Sequence, residues 1–309
     1  MSSLDASTPQ DAALPQKVAF IGLGNMGGGM AANQAKAGRE VAAFDLSSAA
    51  LQKAADAGCQ PQGSIAEAVA GADVVITMLP AGPHVRQVYA EEVLPAAAET
   101  ALLIDCSTID VESARAVASQ ATAAGLRFAD APVSGGTAAA DAGALAFMVG
   151  CGAADFGAVE AALAPMSRVT FRAGEHGAGQ AAKICNNMLL GISMIAVCEA
   201  LALAEKLELD PAKFFEIAGQ SSGQCWSLTS YCPWPGPIAT APSNRNYEGG
   251  FATAMMLKDL KLAQEAAAKA GAATPLGATA EGLYAMLAGL GAGQKDFSVM
   301  LELLRGRTP

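Results

Sequence analysis

The stretch VAFIGLGNMG, residues 18–27, decides the fold. A short apolar run of strand type leads into G-x-G-x-x-G, and a helical pattern follows over residues 26–37. In this context the glycines allow a tight turn and a close backbone approach to a pyrophosphate, which the N-terminus of the following helix attracts. The candidate contacts to a dinucleotide are the residues of the turn: Gly22, Leu23, Gly24, Asn25, Met26 and Gly27.

A second apolar run, residues 41–45, ends in Asp45. A carboxylate at this point can accept hydrogen bonds from both ribose hydroxyls of adenosine and would repel a 2′-phosphate. No arginine follows in residues 45–48, so the sequence predicts NAD rather than NADP. The alternative is a glycine turn in another kind of α/β protein, with Asp45 only capping the next helix.

The alternation of strand and helix continues over the first half of the chain. Runs this continuously apolar indicate a sheet covered on both faces, and their alternation with helices indicates a parallel, doubly wound α/β sheet. The further predicted strands are residues 74–79, 101–106, 126–133, 145–150 and 168–173, and the further predicted helices are residues 48–57, 65–70, 85–90, 111–124 and 156–164.

The pattern changes after a glycine-rich stretch, residues 174–179. One long helix is predicted over residues 180–207 and is ended by Asp210-Pro211, a helix-start pair. Beyond it we find helical segments, no convincing strand, and a long irregular stretch, residues 221–250. The predicted organisation is a mobile tail (1–16), a dinucleotide-binding Rossmann domain (17–178) and an all-helical domain for substrate binding and oligomerisation (179–309).

Composition excludes several classes of protein. Hydrophobic residues make up 52% of the chain and charged residues 16%, so a large core can be buried and global disorder is excluded. The formal net charge of −10 argues against nucleic acid, because phosphate binding needs clustered Lys and Arg. Seven cysteines without a C-x-x-C pair and only two histidines favour buried thiols in a reducing compartment and argue against a metal site.

Two features of the sequence concern the location of the protein in the cell. Residues 1–16 lack a basic start and an apolar core, which argues against a secretory or mitochondrial leader. The longest apolar run, residues 188–198, is shorter than the ~20 residues of a spanning helix and is followed by Glu199, so a buried core helix is predicted. We therefore expect a cytoplasmic protein without a membrane partner.

A set of ordered motifs, spread over nearly the whole chain from Lys17 to Arg305, resembles the β-hydroxyacid dehydrogenases. The later motifs are most like those of the 3-hydroxyisobutyrate dehydrogenases. The motifs are GLGNMGGGMAANQAKAG (22–38), ITMLP (76–80), IDCSTID (104–110), DAPVSGG (130–136), GAGQAAKICNN (177–187), SSGQCWS (221–227), NYEGGF (246–251) and KDL (258–260). The resemblance implies a Rossmann domain joined by a long helix to a helical domain. It also implies NAD-linked oxidation of a small 3-hydroxy carboxylate, 3-hydroxyisobutyrate above all, in valine breakdown, and a homo-oligomer.

Lys183 is the candidate catalytic base. Oxidation of an alcohol needs a group that accepts the hydroxyl proton, and a lysine whose pKa is lowered by burial can serve. Lys183 lies in an otherwise apolar helical stretch, and Asn187 is four residues on, hence on the same helix face. From spacing alone, a snorkelling lysine beside an exposed asparagine remains open. The resemblance places the family's catalytic lysine on Lys183 and its partner on Asn187.

Ser134, Gly135 and Gly136 form a candidate site for the substrate carboxylate. Glycines expose backbone N–H groups and the serine adds a hydroxyl donor, so such a turn can bind an anion. An ordinary strand-ending turn is the alternative. The resemblance matches this turn to the family's substrate-carboxylate loop.

The resemblance assigns Leu79, Pro80, Thr108 and Lys258 to the cofactor and Asp259 to the substrate. Four further candidates rest on their position in the chain: His84 in the loop after the predicted strand 74–79, and Asn246, Phe251 and Trp226 in one segment of the second domain. The alternatives are a helix cap for Thr108, a strand end for Leu79 and Pro80, a surface position for His84, a solvated helix face for Lys258 and Asp259, and a core position for Trp226. The additional cofactor candidates are Leu79, Pro80, His84, Thr108, Phe251 and Lys258, and the additional substrate candidates are Asn246, Asp259 and Trp226.

Three competing functions are weighed. A related dehydrogenase that acts on serine or tartronate semialdehyde would share the same groups. An inactive NAD-binding regulator is disfavoured by the intact Lys183 and Asn187. An imine reductase is disfavoured because no acid or aromatic hydroxyl replaces the lysine.

Overall fold

The computed structural model describes residues 16–309, so the mobile tail predicted for residues 1–16 lies outside the described residues except for Gln16. The described chain divides into two compact units. The first comprises residues 16–107 and Glu112–Gly179, and the second comprises Thr108–Val111 and Gln180–Pro309. All strands of the described residues belong to the first unit, and the second unit is helical.

The sheet of the first unit is mostly parallel, as the alternation of strand and helix predicts. Its strand order is β3-β2-β1-β4-β5-β6-β8-β7, and β9 pairs with β8. The strands are β1 (Lys17–Ile21), β2 (Glu40–Phe44), β3 (Gln60–Pro61), β4 (Val74–Thr77), β5 (Leu102–Asp105), β6 (Arg127–Asp130), β7 (Val133–Ser134), β8 (Leu145–Gly150) and β9 (Ser167–Gly174).

One edge of the sheet departs from the prediction of a purely parallel sheet. The predicted strand 126–133 is two strands, β6 and β7, separated by Ala131 and Pro132. β8 runs antiparallel to both of them and parallel to β9. Pro132 lacks an N–H and cannot donate to a ladder, which accounts for the break.

Helices connect these strands. Ser47 and Ser64 accept N–H bonds at the starts of α2 and α3, which is the capping that serine favours. The helices of the first unit are α1 (Gly27–Lys36), α2 (Ser48–Asp56), α3 (Ile65–Val69), α4 (Gly82–Val88), α5 (Leu94–Ala96), α6 (Val111–Ala123), α7 (Gly136–Asp141) and α8 (Phe156–Leu163), with a π-helical turn at Tyr89–Val93 and a 3₁₀ turn at Ala164–Met166.

The second unit begins with the long helix α9. Asp210 accepts the N–H of Ala212 at the start of the next helix, as the Asp-Pro pair predicts. The predicted irregular stretch contains one short helix and a 3₁₀ turn, Pro242–Arg245. The helices are α9 (Ala178–Lys206), α10 (Pro211–Gly219), α11 (Trp226–Thr229), α12 (Thr253–Ala270), α13 (Pro275–Leu287) and α14 (Met300–Leu304), with a π-helical turn at Ala288–Ala292 and a 3₁₀ turn at Phe297–Val299.

α9 is the one helix of the described chain that is long and apolar enough to cross a membrane by length and composition. Half of its most apolar window is buried in the protein, and core helices pass the same test. Its buried residues, among them Met194, Cys198 and Leu201, belong to the core of the second unit with Met256, Leu260 and others.

The cysteines are all free thiols. Five are buried, as predicted, whereas Cys185 is exposed and Cys225 is half-buried. Each unit has its own apolar core, and in the first unit this core includes Val18, Phe20 and Ile76 of the sheet and Met30 of α1.

Candidate active site

The turn after β1 has the geometry that its glycines permit. Gly22 has a φ of +91°, and its N–H donates to the carbonyl of Phe44 (2.9 Å). A side chain at Gly22 would meet the backbone carbonyl of Met78, and one at Gly27 would meet the carbonyl of Gly22. Gly24 faces open space, and α1 begins at Gly27 without a side-chain cap. The open backbone and the helix N-terminus fit the pyrophosphate of a dinucleotide.

Asp45 follows β2 and is joined to this turn. Its Oδ2 accepts the N–H of Leu23 at 2.6 Å, and its Oδ1 accepts the N–H of Ser47 at 2.7 Å. The side chain is half-exposed, so its remaining lone pairs are open to a ligand. Asn25 and Met26, the other predicted contacts in the turn, are exposed and half-buried respectively.

Leu79 and Pro80 follow β4 at the carboxyl edge of the sheet, where ligands of open α/β sheets bind. The N–H of Leu79 donates to Oγ of Ser107, which follows the neighbouring strand β5 (2.8 Å). The structure therefore joins the segments that follow these two strands. Thr108, the predicted cofactor contact, is the next residue in the chain.

The sequence predicts a loop position for His84, but the structure places it in a helix. It is the third residue of α4 and is exposed. α4 begins earlier than the predicted helix because Gly82 and Pro83 start it, and a proline in the first turn costs a helix no hydrogen bond. Whether His84 touches the cofactor remains a prediction.

The turn predicted to hold the substrate carboxylate joins β7 to α7. Ser134 ends β7 and is half-buried. Gly135 has a φ of +137° and Gly136 a φ of +71°, conformations that require glycine. A side chain on Gly135 would come within 2.6 Å of Cβ of Ala139. The backbone of this turn thus depends on its two glycines.

Lys183 lies in α9 and is buried, with 7% of its surface exposed. Burial lowers the pKa of its amine. The carboxylate of Asp259 acts in the opposite direction, and the charge of Lys258 adds to the lowering. These are the conditions in which a lysine can act as a base near neutral pH.

Asn187 is also buried, and its partner is Asp259 on α12. Nδ2 of Asn187 donates to Oδ2 of Asp259 at 2.5 Å, and Oδ1 of Asn187 accepts from Nδ2 of Asn186 at 3.0 Å. Oδ1 of Asp259 accepts no hydrogen bond from the described residues and lies 3.7 Å from Nζ of Lys258. Asp259 is 3% exposed, so the alternative of a solvated charged helix face is wrong for this residue.

Lys258 holds Thr108. Its Nζ donates to the backbone carbonyl of Thr108 at 2.9 Å, and the N–H of Ile109 donates to Oε1 of the buried Gln180 at 3.1 Å. These bonds explain why the segment Thr108–Val111 belongs to the second unit. The structure thus brings together five predicted site residues of that unit: Lys183, Asn187, Asp259, Lys258 and Thr108.

Two of the remaining candidates of the second unit, Trp226 and Phe251, belong to an aromatic group that also includes Tyr231 and Phe297. Trp226 is 51% exposed, which contradicts a core position, and its ring stacks on Tyr231 at 4.8 Å. Phe251 is half-buried and meets Phe297 edge to face. Asn246 is exposed and adopts the left-handed conformation after the 3₁₀ turn.

Sequence reasoning missed several polar residues of these regions. Asp105, the last residue of β5, and Ser107, two residues later, are fully buried, and Asp296 is buried and bonded to Tyr231 and Phe251 of the aromatic group. A carboxylate at the end of an apolar run was a signal for Asp105. No local signal marks Gln180 or Asp296, because their partners are distant in the chain. Within residues 16–309, no group of three or more His, Cys, Asp or Glu side chains could hold a metal ion.

Two protein-family models match the chain. The model described as the NAD binding domain of 6-phosphogluconate dehydrogenase matches residues 17–174. The model described as NAD-binding of NADP-dependent 3-hydroxyisobutyrate dehydrogenase matches residues 177–304.

Individual relatives match along their full length. The chain is 50% identical over 294 residues to the 3-hydroxyisobutyrate dehydrogenase of Pseudomonas aeruginosa. The aligned part covers 94% of this chain and 99% of the relative. The chain is 46% identical over 290 residues to the NAD-dependent L-serine dehydrogenase of the same organism, with 93% and 97% covered. The solved structure of Mycobacterium tuberculosis 3-hydroxyisobutyrate dehydrogenase with L-serine gives a TM-score of 0.91 at 46% identity, with 94% and 99% covered.

Proposed function

The chain belongs to the 3-hydroxyisobutyrate dehydrogenase family of β-hydroxyacid dehydrogenases, and from this premise we propose that it oxidises 3-hydroxyisobutyrate to methylmalonate semialdehyde with NAD. It is an oxidoreductase with an NAD-binding domain, and this reaction implies a place in valine catabolism. The observation that carries the proposal is the buried Lys183, with its lowered pKa, on the same helix as an Asn187 that is fixed by Asp259.

Lys183 takes the hydroxyl proton in this reaction. Because burial favours its neutral amine, Nζ has a free lone pair for the proton when the C–H bond of the carbinol carbon breaks. Asn187 orients the hydroxyl or the amine, since its amide is held at both ends by Asn186 and Asp259. The negative charge of Asp259 then stabilises the ammonium that Lys183 becomes.

The first unit supplies the residues for NAD. NAD, when bound, accepts the hydride that leaves the carbinol carbon. The turn Gly22–Gly27 fits its pyrophosphate, since side chains at Gly22 and Gly27 would meet backbone carbonyls and Gly24 is open. Asp45 accepts from the adenosine ribose and disfavours a 2′-phosphate, which supports NAD over NADP. Leu79, Pro80 and Thr108 are the further contacts that we propose.

The turn of Ser134, Gly135 and Gly136 is our candidate for the substrate carboxylate. Its positive φ angles and the serine hydroxyl suit an anion. With one end of the substrate held there and the hydroxyl held by Lys183 and Asn187, the carbinol carbon is oriented for hydride loss. An alcohol without the carboxylate should then react poorly.

L-Serine is the second candidate substrate. The observations that favour it are the 46% identity to an L-serine dehydrogenase and the solved relative that contains L-serine. L-Serine has the same three-carbon hydroxy acid frame and adds an ammonium group. The buried Oδ1 of Asp259, which accepts no bond from the described residues, is an acceptor that suits such a group.

The test is an NAD-reduction screen with purified protein. Its substrates are both enantiomers of 3-hydroxyisobutyrate, L-serine, 3-hydroxypropionate, glycerate and, as the control without a carboxylate, isobutanol. We expect the largest kcat/KM for one enantiomer of 3-hydroxyisobutyrate and no turnover of isobutanol. A larger kcat/KM for L-serine would replace the proposed substrate, and NAD binding without any turnover would indicate the inactive regulator.

We also propose that the protein is a cytoplasmic homo-oligomer. The support for an oligomer is the exposed side of α9 and the turn that follows it, where Leu189 and Leu203 of the helix and Leu207 of the turn are more than half exposed. Apolar surface of this kind is typical of contacts between subunits. The cytoplasmic location rests on the buried free cysteines, which are typical of a reducing compartment.

A further inference from the structure

The first unit contains a buried polar group that the proposed mechanism does not use. We call it the β4–β5 cluster: Thr77 at the end of β4, Asp105 at the end of β5, and Ser107 two residues later. All three side chains have 0% exposure. A carboxylate removed from water in this way lowers the stability of the fold unless its partners compensate.

Each hydrogen bond of the cluster has an identified donor and acceptor. Oδ1 of Asp105 accepts from the hydroxyl of Thr77 (2.7 Å), from the hydroxyl of Ser107 (2.6 Å) and from the N–H of Ser107 (3.2 Å). Because the hydroxyl of Ser107 donates its proton to Asp105, its oxygen acts as an acceptor toward other donors. Oγ of Ser107 accepts the N–H of Leu79 at 2.8 Å. The carboxylate therefore fixes the rotation of the Ser107 hydroxyl, which binds the segment after β4.

The partners of Asp105 do not compensate fully for its burial. Its Oδ2 accepts no hydrogen bond from the residues that the structure describes. Burial raises the pKa of Asp105 to about 6, the nearby Asp130 adds to the rise, and the bonds from Ser107 and Thr77 oppose it. The residue thus lowers stability when ionised, so a stabilising role does not account for it.

We propose that Asp105 is a positioning residue for NAD, which acts through Ser107 on the two segments that follow β4 and β5. Leu79 and Pro80 belong to one segment, and Thr108, the residue after Ser107, belongs to the other. The inference rests on the proposed function, which places NAD against these segments. Because the N–H of Leu79 already donates to Ser107, the segment of Leu79 and Pro80 contacts NAD through its carbonyls and side chains.

The test is calorimetric binding of NAD⁺ in the absence of substrate, with the full chain. Ser107→Ala removes the acceptor for Leu79 and should weaken NAD⁺ binding by about tenfold, the usual effect of one lost hydrogen bond. Thr77→Val is the matched control, because it also removes a buried bond to Asp105 but leaves the Ser107–Leu79 bond intact. It should bind NAD⁺ within about twofold of wild type. Asp105→Ala removes the acceptor that orients Ser107 and should weaken NAD⁺ binding about as much as Ser107→Ala, whereas Asp105→Asn keeps an acceptor oxygen for Ser107 and should bind within about threefold.

Steady-state kinetics give a second measurement, because a merely structural role would not change KM for NAD while leaving kcat unchanged. Ser107→Ala should raise KM for NAD by about tenfold and leave kcat at saturating NAD within about threefold, since Lys183 is unchanged. Wild-type NAD⁺ affinity in Ser107→Ala would overturn the proposal, and so would equal weakening in Thr77→Val. A wild type that binds NAD⁺ but fails to oxidise 3-hydroxyisobutyrate would refute the proposed substrate and leave the binding comparison valid.

Discussion

Lys183 combines two properties that no other lysine of the described chain is shown to share: it is buried, and its pKa is lowered. Lys183→Ala should retain NAD binding and lose roughly 10²–10⁴-fold in kcat, the range for an acid–base group. Lys206→Ala is the matched control, because Lys206 lies in the last turn of the same helix and is exposed. The test is steady-state kinetics, with NAD binding measured in parallel. Activity of Lys183→Ala within threefold of wild type would remove the lysine from the mechanism.

The pH profile of kcat/KM should report the same amine. The base must be neutral to accept a proton, so activity rises as pH passes the pKa of Lys183 and then levels off. Asp259 raises that pKa, so Asp259→Asn should move the acidic limb to lower pH. Lys258→Met removes a charge that lowers the pKa and should move the limb to higher pH. Two shifts in the same direction would contradict the assignment of the limb to Lys183.

Asp45 should decide the choice of cofactor. Wild type should show a clearly larger kcat/KM with NAD than with NADP, because the carboxylate repels a 2′-phosphate. Asp45→Ser with Leu46→Arg removes this repulsion, adds a phosphate partner at an exposed position, and should shift the preference toward NADP. Asp56→Ser, an exposed carboxylate at the end of α2, is the control and should change neither value. Equal use of both cofactors by wild type would refute this role of Asp45.

At the scale of single residues, spacing predicted which side chains share a helix face but not the bonds that hold them. The four-residue interval put Lys183 and Asn187 on one helix face, and both are buried as a base and its partner require. The bond from Asn187 to Asp259 spans 72 residues of chain, so no local pattern could predict it. The same applies to the bond from Lys258 to the carbonyl of Thr108. The core position weighed for Trp226 is wrong, because residue type alone does not distinguish a core tryptophan from an exposed, stacked one, and its contact with substrate stays a prediction.

At the scale of elements, apolar runs predicted the strands that are long and buried. β8 was predicted with the bounds that the structure shows, whereas β3, two exposed residues, has no apolar run to reveal it. The antiparallel direction of β8 was not predictable from periodicity, since an apolar run carries no information about its neighbours. The π-helical turn at Tyr89–Val93, where Tyr89 is buried against Phe128, likewise depends on distant packing.

The aromatic group of the second unit depends on one buried carboxylate. Oδ2 of Asp296 accepts the hydroxyl of Tyr231 (2.8 Å) and the N–H of Phe251 (2.7 Å), and Trp226 stacks on Tyr231. Asp296→Asn replaces one acceptor oxygen by a donor and should lower the free energy of unfolding by about 2–3 kcal/mol, as expected for two disrupted buried bonds. Tyr231→Phe breaks one of these bonds and should cost about 1 kcal/mol.

Urea unfolding of the Asp296 and Tyr231 variants measures both losses. The exposed Asp210, which accepts one N–H at the start of α10, provides the comparison, and Asp210→Asn should stay within about 1 kcal/mol of wild type because Asn also caps helices well. Equal stability of Asp296→Asn and wild type would mean that the carboxylate does not hold these aromatic residues in place.

At the scale of the whole molecule, the residues that we propose for NAD and those that we propose for catalysis belong to different units of the chain. The turn Gly22–Gly27 and Asp45 belong to the first, and Lys183, Asn187 and Asp259 belong to the second. α9 carries the proposed base Lys183 and its partner Asn187 in its first turns, and further along it exposes apolar side chains. Leu189, Ala196 and Leu203 follow one another at intervals of seven residues, or two helical turns, so they lie along one side of the helix.

This exposed side of α9 leads to a prediction about assembly. Leu203 and Leu207 are 59% and 68% exposed, one helical turn apart, and covering them with the same surface of a second copy would remove apolar area from water. Leu203→Glu with Leu207→Glu should therefore convert an oligomer into a smaller species, because a charge buried in such a contact is costly. Leu46→Glu is the matched control, since Leu46 is 96% exposed on the first unit and should leave the assembly unchanged. Sedimentation velocity at several protein concentrations gives the measurement. A monomeric wild type would refute the oligomer, and an unchanged double variant would place the contact on another surface.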